Sequence, residues 1–144
     1  MKKILYILSI SLVALAGCKK DPEPELPLQS LKSANCFIIT EAGRYTFETV
    51  KGEGNESVGE VVAAEVLWES FGTDKYPSAG SLIKSVSYKE GEIIFKTTDK
   101  KGNAVIAAKD ADDNILWSWH IWMTDQPEEQ VYYNNAGIMM DRNL

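Results

Sequence analysis

Two cysteines and one histidine are all that the 144 residues supply of those types. No His/Cys cluster with metal-ligand spacing is visible, and no Gly-x-Ser-x-Gly elbow or phosphate-binding loop occurs. Basic residues are the minority, 15 Lys and Arg against 21 Asp and Glu, for a formal charge of −6. Without a basic stripe, nucleic acid is excluded as a partner, and an anionic membrane surface would not attract the chain. Long apolar runs are also missing. The one near candidate, Ile4 to Ala16, is too short to span a bilayer comfortably. No internal repeat is present, and no segment carries a convincing helical pattern.

The N-terminus has the shape of a secretory signal peptide. Lys2 and Lys3 form a positive n-region, and the apolar run follows directly. It ends in Leu15-Ala16-Gly17-Cys18, which resembles a bacterial lipobox. The resemblance implies cleavage before Cys18 and acyl chains on that residue. Two or more chains anchor stably, because each buried methylene contributes about 0.8 kcal/mol. Removing residues 1–17 takes away Lys2, Lys3 and no acid, so the charge of −6 becomes −8. With Cys18 lipidated, Cys36 has no partner in the chain, which excludes an intrachain disulfide framework. Cys36 lies in the apolar run Asn35-Cys36-Phe37-Ile38-Ile39 and reads as a buried structural thiol. Residues 18–32 begin CKKDPEPELPL. Prolines and charges dominate them, so they read as a flexible tether. Lysines and an acid directly after the lipidated cysteine resemble the surface-export signal of Bacteroidota lipoproteins.

From Ser33 the pattern turns to strands. Ala34–Thr40, Arg44–Lys51, Glu60–Glu69, Leu82–Tyr88 and Ile93–Thr97 are separated by turn residues. Gly102 to Asp125 adds two more around a polar turn. In the last of these, Ile115, Trp117, Trp119, Ile121 and Met123 alternate with Leu116, Ser118, His120, Trp122 and Thr124. Residues two apart share a face of a strand, so the first set is predicted to line the core. About seven short strands at regular spacing predict an all-β fold, an antiparallel immunoglobulin-like β-sandwich over residues 33–126. The tail, 127–144, changes character.

Three segments together resemble a known module: Ser33–Ile39 with Gly43–Phe47, then Gly102–Ala107, then Ile115–Trp122 with Thr124-Asp125. They are similar to a β-sandwich module of fimbrillin-like and hypothetical surface lipoproteins of gut Bacteroidota. That module often precedes a Fibrobacter succinogenes major paralogous domain. Met140-Asp141-Arg142-Asn143-Leu144 resembles the opening of this second domain, so the tail is expected to be its start in a truncated paralogue or a fragment. The resemblance implies location and fold more than activity.

Four constellations bear on chemistry. Asp110, Asp112 and Asn114 place oxygen ligands at alternate positions, as a calcium loop does. The sixth and twelfth positions are Ile115 and Ile121, where such a loop needs Gly and Glu. A hairpin turn is the simpler reading. Ser118 and His120 share a strand face, but about 6.5–7 Å of backbone separates i from i+2, and no orienting acid is evident. Glu128-Glu129 and Asp112-Asp113 read as solvated loop charge. Trp122, opposite Trp117 and Trp119, joins Tyr132 and Tyr133 as candidate ligand-binding residues, since exposed rings stack on sugars. For Trp122, packing under the tail or against a neighbouring domain is the favoured reading, because Leu116 shares its face.

The reading is a lipid-anchored protein of the cell outer membrane, exposed at the surface, without a cofactor and not an enzyme. Its sandwich is expected to be a structural, adhesive or ligand-presenting module. Surface or fimbrial subunits and glycans are the expected partners, and a glycan-binding surface lipoprotein is the alternative.

Overall fold

In the sequence, runs rich in β-branched and aromatic residues are broken every few positions by Gly, Asp, Asn or Pro, and this punctuation sets the strands. The computed structural model describes residues 25–134 and 136–142, so the expected signal peptide and lipidation site at Cys18 lie outside the described residues. Ten strands follow one another: β1 Leu28–Ser30, β2 Cys36–Ile39, β3 Arg44–Glu48, β4 Ala63–Ser70, β5 Ile83–Lys89, β6 Glu92–Thr97, β7 Gly102–Lys109, β8 Ile115–Met123, β9 Glu129–Val131 and β10 Ile138–Met140. No helix occurs among the described residues.

Sheet I has the order β1-β3-β6-β5 and sheet II the order β2-β8-β7-β4. The architecture is all-β and fits a sandwich. Its centre is Phe47, 1% exposed, whose ring lies 4.6 Å from Phe37 and 5.0 Å from Trp119 on the other sheet. Around it pack Tyr45, Ile93 and Phe95 of sheet I with Ile39, Ala104, Ile106, Ala108, Ile121 and Met123 of sheet II. Each set alternates along its strand, as two facing pleated sheets require.

The sheets are mixed rather than purely antiparallel. β1 runs parallel to β3, and β2 runs parallel to β8. Both are edge strands supplied by the N-terminal segment, and neither is joined to its neighbour by a hairpin, the connection that forces antiparallel direction. Residues 25–32 of the expected 18–32 tether are instead held against sheet I. Within residues 25–32, Glu25 pairs with Arg44 at 2.8 Å, β1 extends sheet I, and the Leu31 amide donates to the Thr46 carbonyl at 2.8 Å. The sequence failed here because these few residues gain their hydrogen bonds from an edge formed elsewhere in the chain.

The tail folds into a hairpin of β9 and β10, with Val131, Tyr133 and Ile138 exposed. Arg142 donates to Thr124 Oγ1 at 3.3 Å and ties this hairpin to the end of β8.

Candidate functional site

The site is set up by a bulge in β4. Val66 pairs with Ile106 and Trp68 pairs with Val105, so Leu67 is an extra residue with no partner of its own. A bulge re-aims the side chains that follow it. Strict alternation would put Trp68 on the same face as Val66, which packs against the core. The bulge turns Trp68 to the outer face of sheet II instead, where it is 48% exposed. The same shift turns Glu69 inward. Its Oε1 accepts from the Leu82 amide at 2.8 Å and the Ile83 amide at 2.6 Å, and its Oε2 accepts from Ser81 at 3.1 Å. One carboxylate thus fixes the loop leading into β5 and holds the bulge.

The outer face of sheet II then carries one row across all four strands: Trp68, Val105, His120 and Cys36, each directly opposite the next. The adjacent row is Ser70, Asn103, Trp122 and Ile38. The Cys36 Sγ lies 3.3 Å from His120 Nδ1, and His120 Nε2 lies 2.8 Å from Asn103 Oδ1. An amide oxygen only accepts, so Nε2 carries the proton. A neutral imidazole then accepts at Nδ1, and the thiol donates to it. Burial pushes the Cys36 thiol above its ordinary range and holds His120 below its own, so both groups are neutral near pH 7. The relay Cys36→His120→Asn103 leaves the two N–H groups of Asn103 Nδ2 as its unused donors. Trp68, Asn103, Val105 and His120 line an open depression of about 500 Å³.

The sequence candidates fare differently. Trp122 is only 8% exposed, between Ile38 and Asn103, and presents no ring face for stacking. Tyr132 and Tyr133 are 42% and 100% exposed, but on the tail hairpin rather than beside Trp122 in the sheet. Asp110 is committed to a turn. Its Oδ1 accepts from the Asp112 and Asn114 amides, each at 2.9 Å, and its Oδ2 from the Asn114 side chain at 3.1 Å. These bonds hold its carboxyl below the usual range. Asp112 and Asn114 serve the same turn, closed by Asp113 at a φ of 65°. Among the described residues no group of three or more His, Cys, Asp or Glu side chains is placed to hold a metal. Ser118 is exposed, and both ring nitrogens of His120 are engaged by Cys36 and Asn103 rather than by Ser118.

Cys36 is partly buried and hydrogen-bonded to His120, rather than the fully buried apolar thiol that its neighbours suggested. Trp117 is half-buried at the core's edge, its Nε1 donating to Asn35 Oδ1 at 3.1 Å under the Lys51 ammonium. Ile115 is 53% exposed, because a second bulge at Leu116 breaks the alternation of β8 between the pairs Lys109–Ile115 and Ala108–Trp117.

Trp68, Asn103 and the Cys36–His120 contact are the residues that sequence reading missed. His120 was placed on the correct face by alternation. Its partners stand 17 and 84 residues away, and the ring of Trp68 faces outward only because of a bulge with no local signature. Comparison of the chain with protein-family models, with curated proteins and with solved structures finds no match.

Proposed function

We propose that the chain is a lipid-anchored protein of the outer membrane whose sandwich is a non-catalytic structural, adhesive or ligand-presenting module. The observation that carries this is the order of Lys2-Lys3, the apolar run, Leu15-Ala16-Gly17-Cys18 and a proline-rich acidic stretch before a small β body. Such a chain is exported, anchored at Cys18 and held off the membrane by its tether.

The sandwich is of immunoglobulin-like kind in this reading. Support comes from strand order. β3-β6-β5 and β8-β7-β4 follow the strand order of the two sheets of that fold, with β1 and β2 added as parallel edge strands.

The Cys36–His120–Asn103 relay is structural here. A thiol nucleophile acts as thiolate, and burial disfavours both the thiolate and the imidazolium that would accompany it.

Metabolic labelling of cells with an alkyne fatty acid tests the anchor. Label is expected on the wild-type chain and absent from Cys18→Ala. An unlabelled wild type, or label retained in the variant, overturns the reading. Protease digestion of intact cells then distinguishes surface display from the periplasmic face.

A further inference from the structure

We propose that the outer face of sheet II binds a neutral carbohydrate, with one sugar ring stacked on the indole of Trp68 and a sugar hydroxyl accepting from Asn103 Nδ2. The proposal rests on the ligand-presenting reading above and names the ligand class and the site.

Three observations converge on this ligand. First, Trp68 is a large apolar ring 48% exposed on a sheet face, and the β4 bulge is what exposes it. Its position is supported by the inward anchoring of Glu69 next to it. A flat ring beside polar groups suits the alternating C–H and O–H faces of a pyranose. Second, Asn103 is oriented before any ligand arrives. Its oxygen accepts from His120 Nε2 at 2.8 Å, and His120 is itself held by Cys36 at 3.3 Å. The amide therefore cannot flip without losing that bond, and its two N–H donors stay directed away from His120. A pre-oriented donor costs less to engage than a mobile one. Third, the lining is uncharged: Trp68, Asn103, Val105 and His120, with the imidazole held neutral. Three of the other depressions are charged, and the fourth, beside Leu67 and Pro77, shares Trp68 with this one. Of the charged ones, one is lined by Glu48, Glu53 and Glu92, another by Glu25, Arg44 and Lys96, and a third by Glu60, Asp110 and Asp112. A neutral ligand is suited to the outer face of sheet II and not to these three. The volume of about 500 Å³ is in the usual range for small-ligand sites, and its open form suits a chain that continues past the bound ring.

The full-length chain is tested in a detergent without a sugar headgroup. Affinity electrophoresis is run through gels holding soluble neutral polysaccharides: β-glucan, xylan, mannan and starch. Titration calorimetry on oligosaccharides of any retarding polymer follows. Retardation by at least one polymer is expected. Trp68→Ala is expected to weaken binding about tenfold or more, and Trp68→Phe to keep most of it. Asn103→Ala is expected to weaken it roughly five- to tenfold. Urea unfolding of each variant separates lost binding from lost folding, since both positions lie outside the core.

No retardation by any polymer overturns the proposal, as does binding unchanged in Trp68→Ala. If Trp68→Ala removes only binding of the apolar dye anilinonaphthalene sulfonate, the face docks an apolar partner and the carbohydrate assignment falls. Fatty-acid labelling at Cys18 is unaffected by any of these results, so failure here is distinct from failure of the lipoprotein reading.

Discussion

Replacing Glu69 with alanine is expected to unpin the loop before β5. The magnitude follows from two amides. Leu82 is 0% exposed and Ile83 is 2% exposed, and both donate to Glu69 Oε1, at 2.8 and 2.6 Å. A buried donor left without a partner costs about 1–3 kcal/mol. Two such amides give about 2–6 kcal/mol, and partial access of water through the loop favours the lower half of that range. Glu69→Gln keeps one carbonyl oxygen for these amides but aims an amino group at the Ser81 amide, so about 1–2 kcal/mol is expected. Urea unfolding followed by tryptophan fluorescence reads both values. With a slope of about 1–3 kcal/mol per molar, the midpoint of Glu69→Ala falls by about 1–2 M. Native-state hydrogen exchange gives a local readout, with Leu82 and Ile83 losing protection beyond the global change. If Glu69→Ala lies within about 0.5 kcal/mol of wild type, or these two amides keep their protection, the carboxylate does not hold the loop. The explanation of why Trp68 faces outward then fails with it.

Phe47→Ala removes the ring shared by both sheets and is expected to cost about 3–5 kcal/mol, read by the same urea assay. Gly102→Ala places a Cβ 2.4 Å from the Ser70 carbonyl oxygen at a φ of +152°, and a loss of at least about 2 kcal/mol is expected in thermal unfolding. Because His120 is held below its ordinary value of 6.5, the unfolded chain binds its proton first as the pH falls. Its contribution is therefore complete above that value and lost as the pH drops through it toward the folded one, a limb absent from His120→Gln. Cys36 has the opposite window. Its thiol is raised from 9.0, so stability is kept below pH 9 and lost above it, and alkylation of the folded chain by iodoacetamide should be slow at pH 7.

Much of the fold was legible along the chain. Trp119, Ile121 and Met123 are buried at alternate positions of β8, as period-two spacing demands. The acidic segment Asp110–Asn114 forms a turn because its carboxylate satisfies the amides beside it, an interaction wholly local in sequence. The alternation of the strands breaks at Leu116, which turns Ile115 outward, and at Leu67, which turns Trp68 outward. An extra residue in one strand reverses the facing of everything beyond it, and only the partner strand reveals that the residue is extra. The tether was misjudged at β1 for a related reason, since three residues of low intrinsic preference become a strand once an open edge lies beside them.

The sequence by itself determined the all-β class and which turns are turns, because each rests on neighbours within a few residues. Tertiary structure decided which aromatic rings are exposed. Trp122, on the face read as outward, is covered, and Trp68, unremarkable in its own segment, is half in solvent. It also decided that Cys36, Asn103 and His120 meet, because β2, distant in the chain, lies beside the β7–β8 hairpin about 4.8 Å away in one sheet. Hydrogen bonding across strands, not spacing along them, set the chemistry of that face.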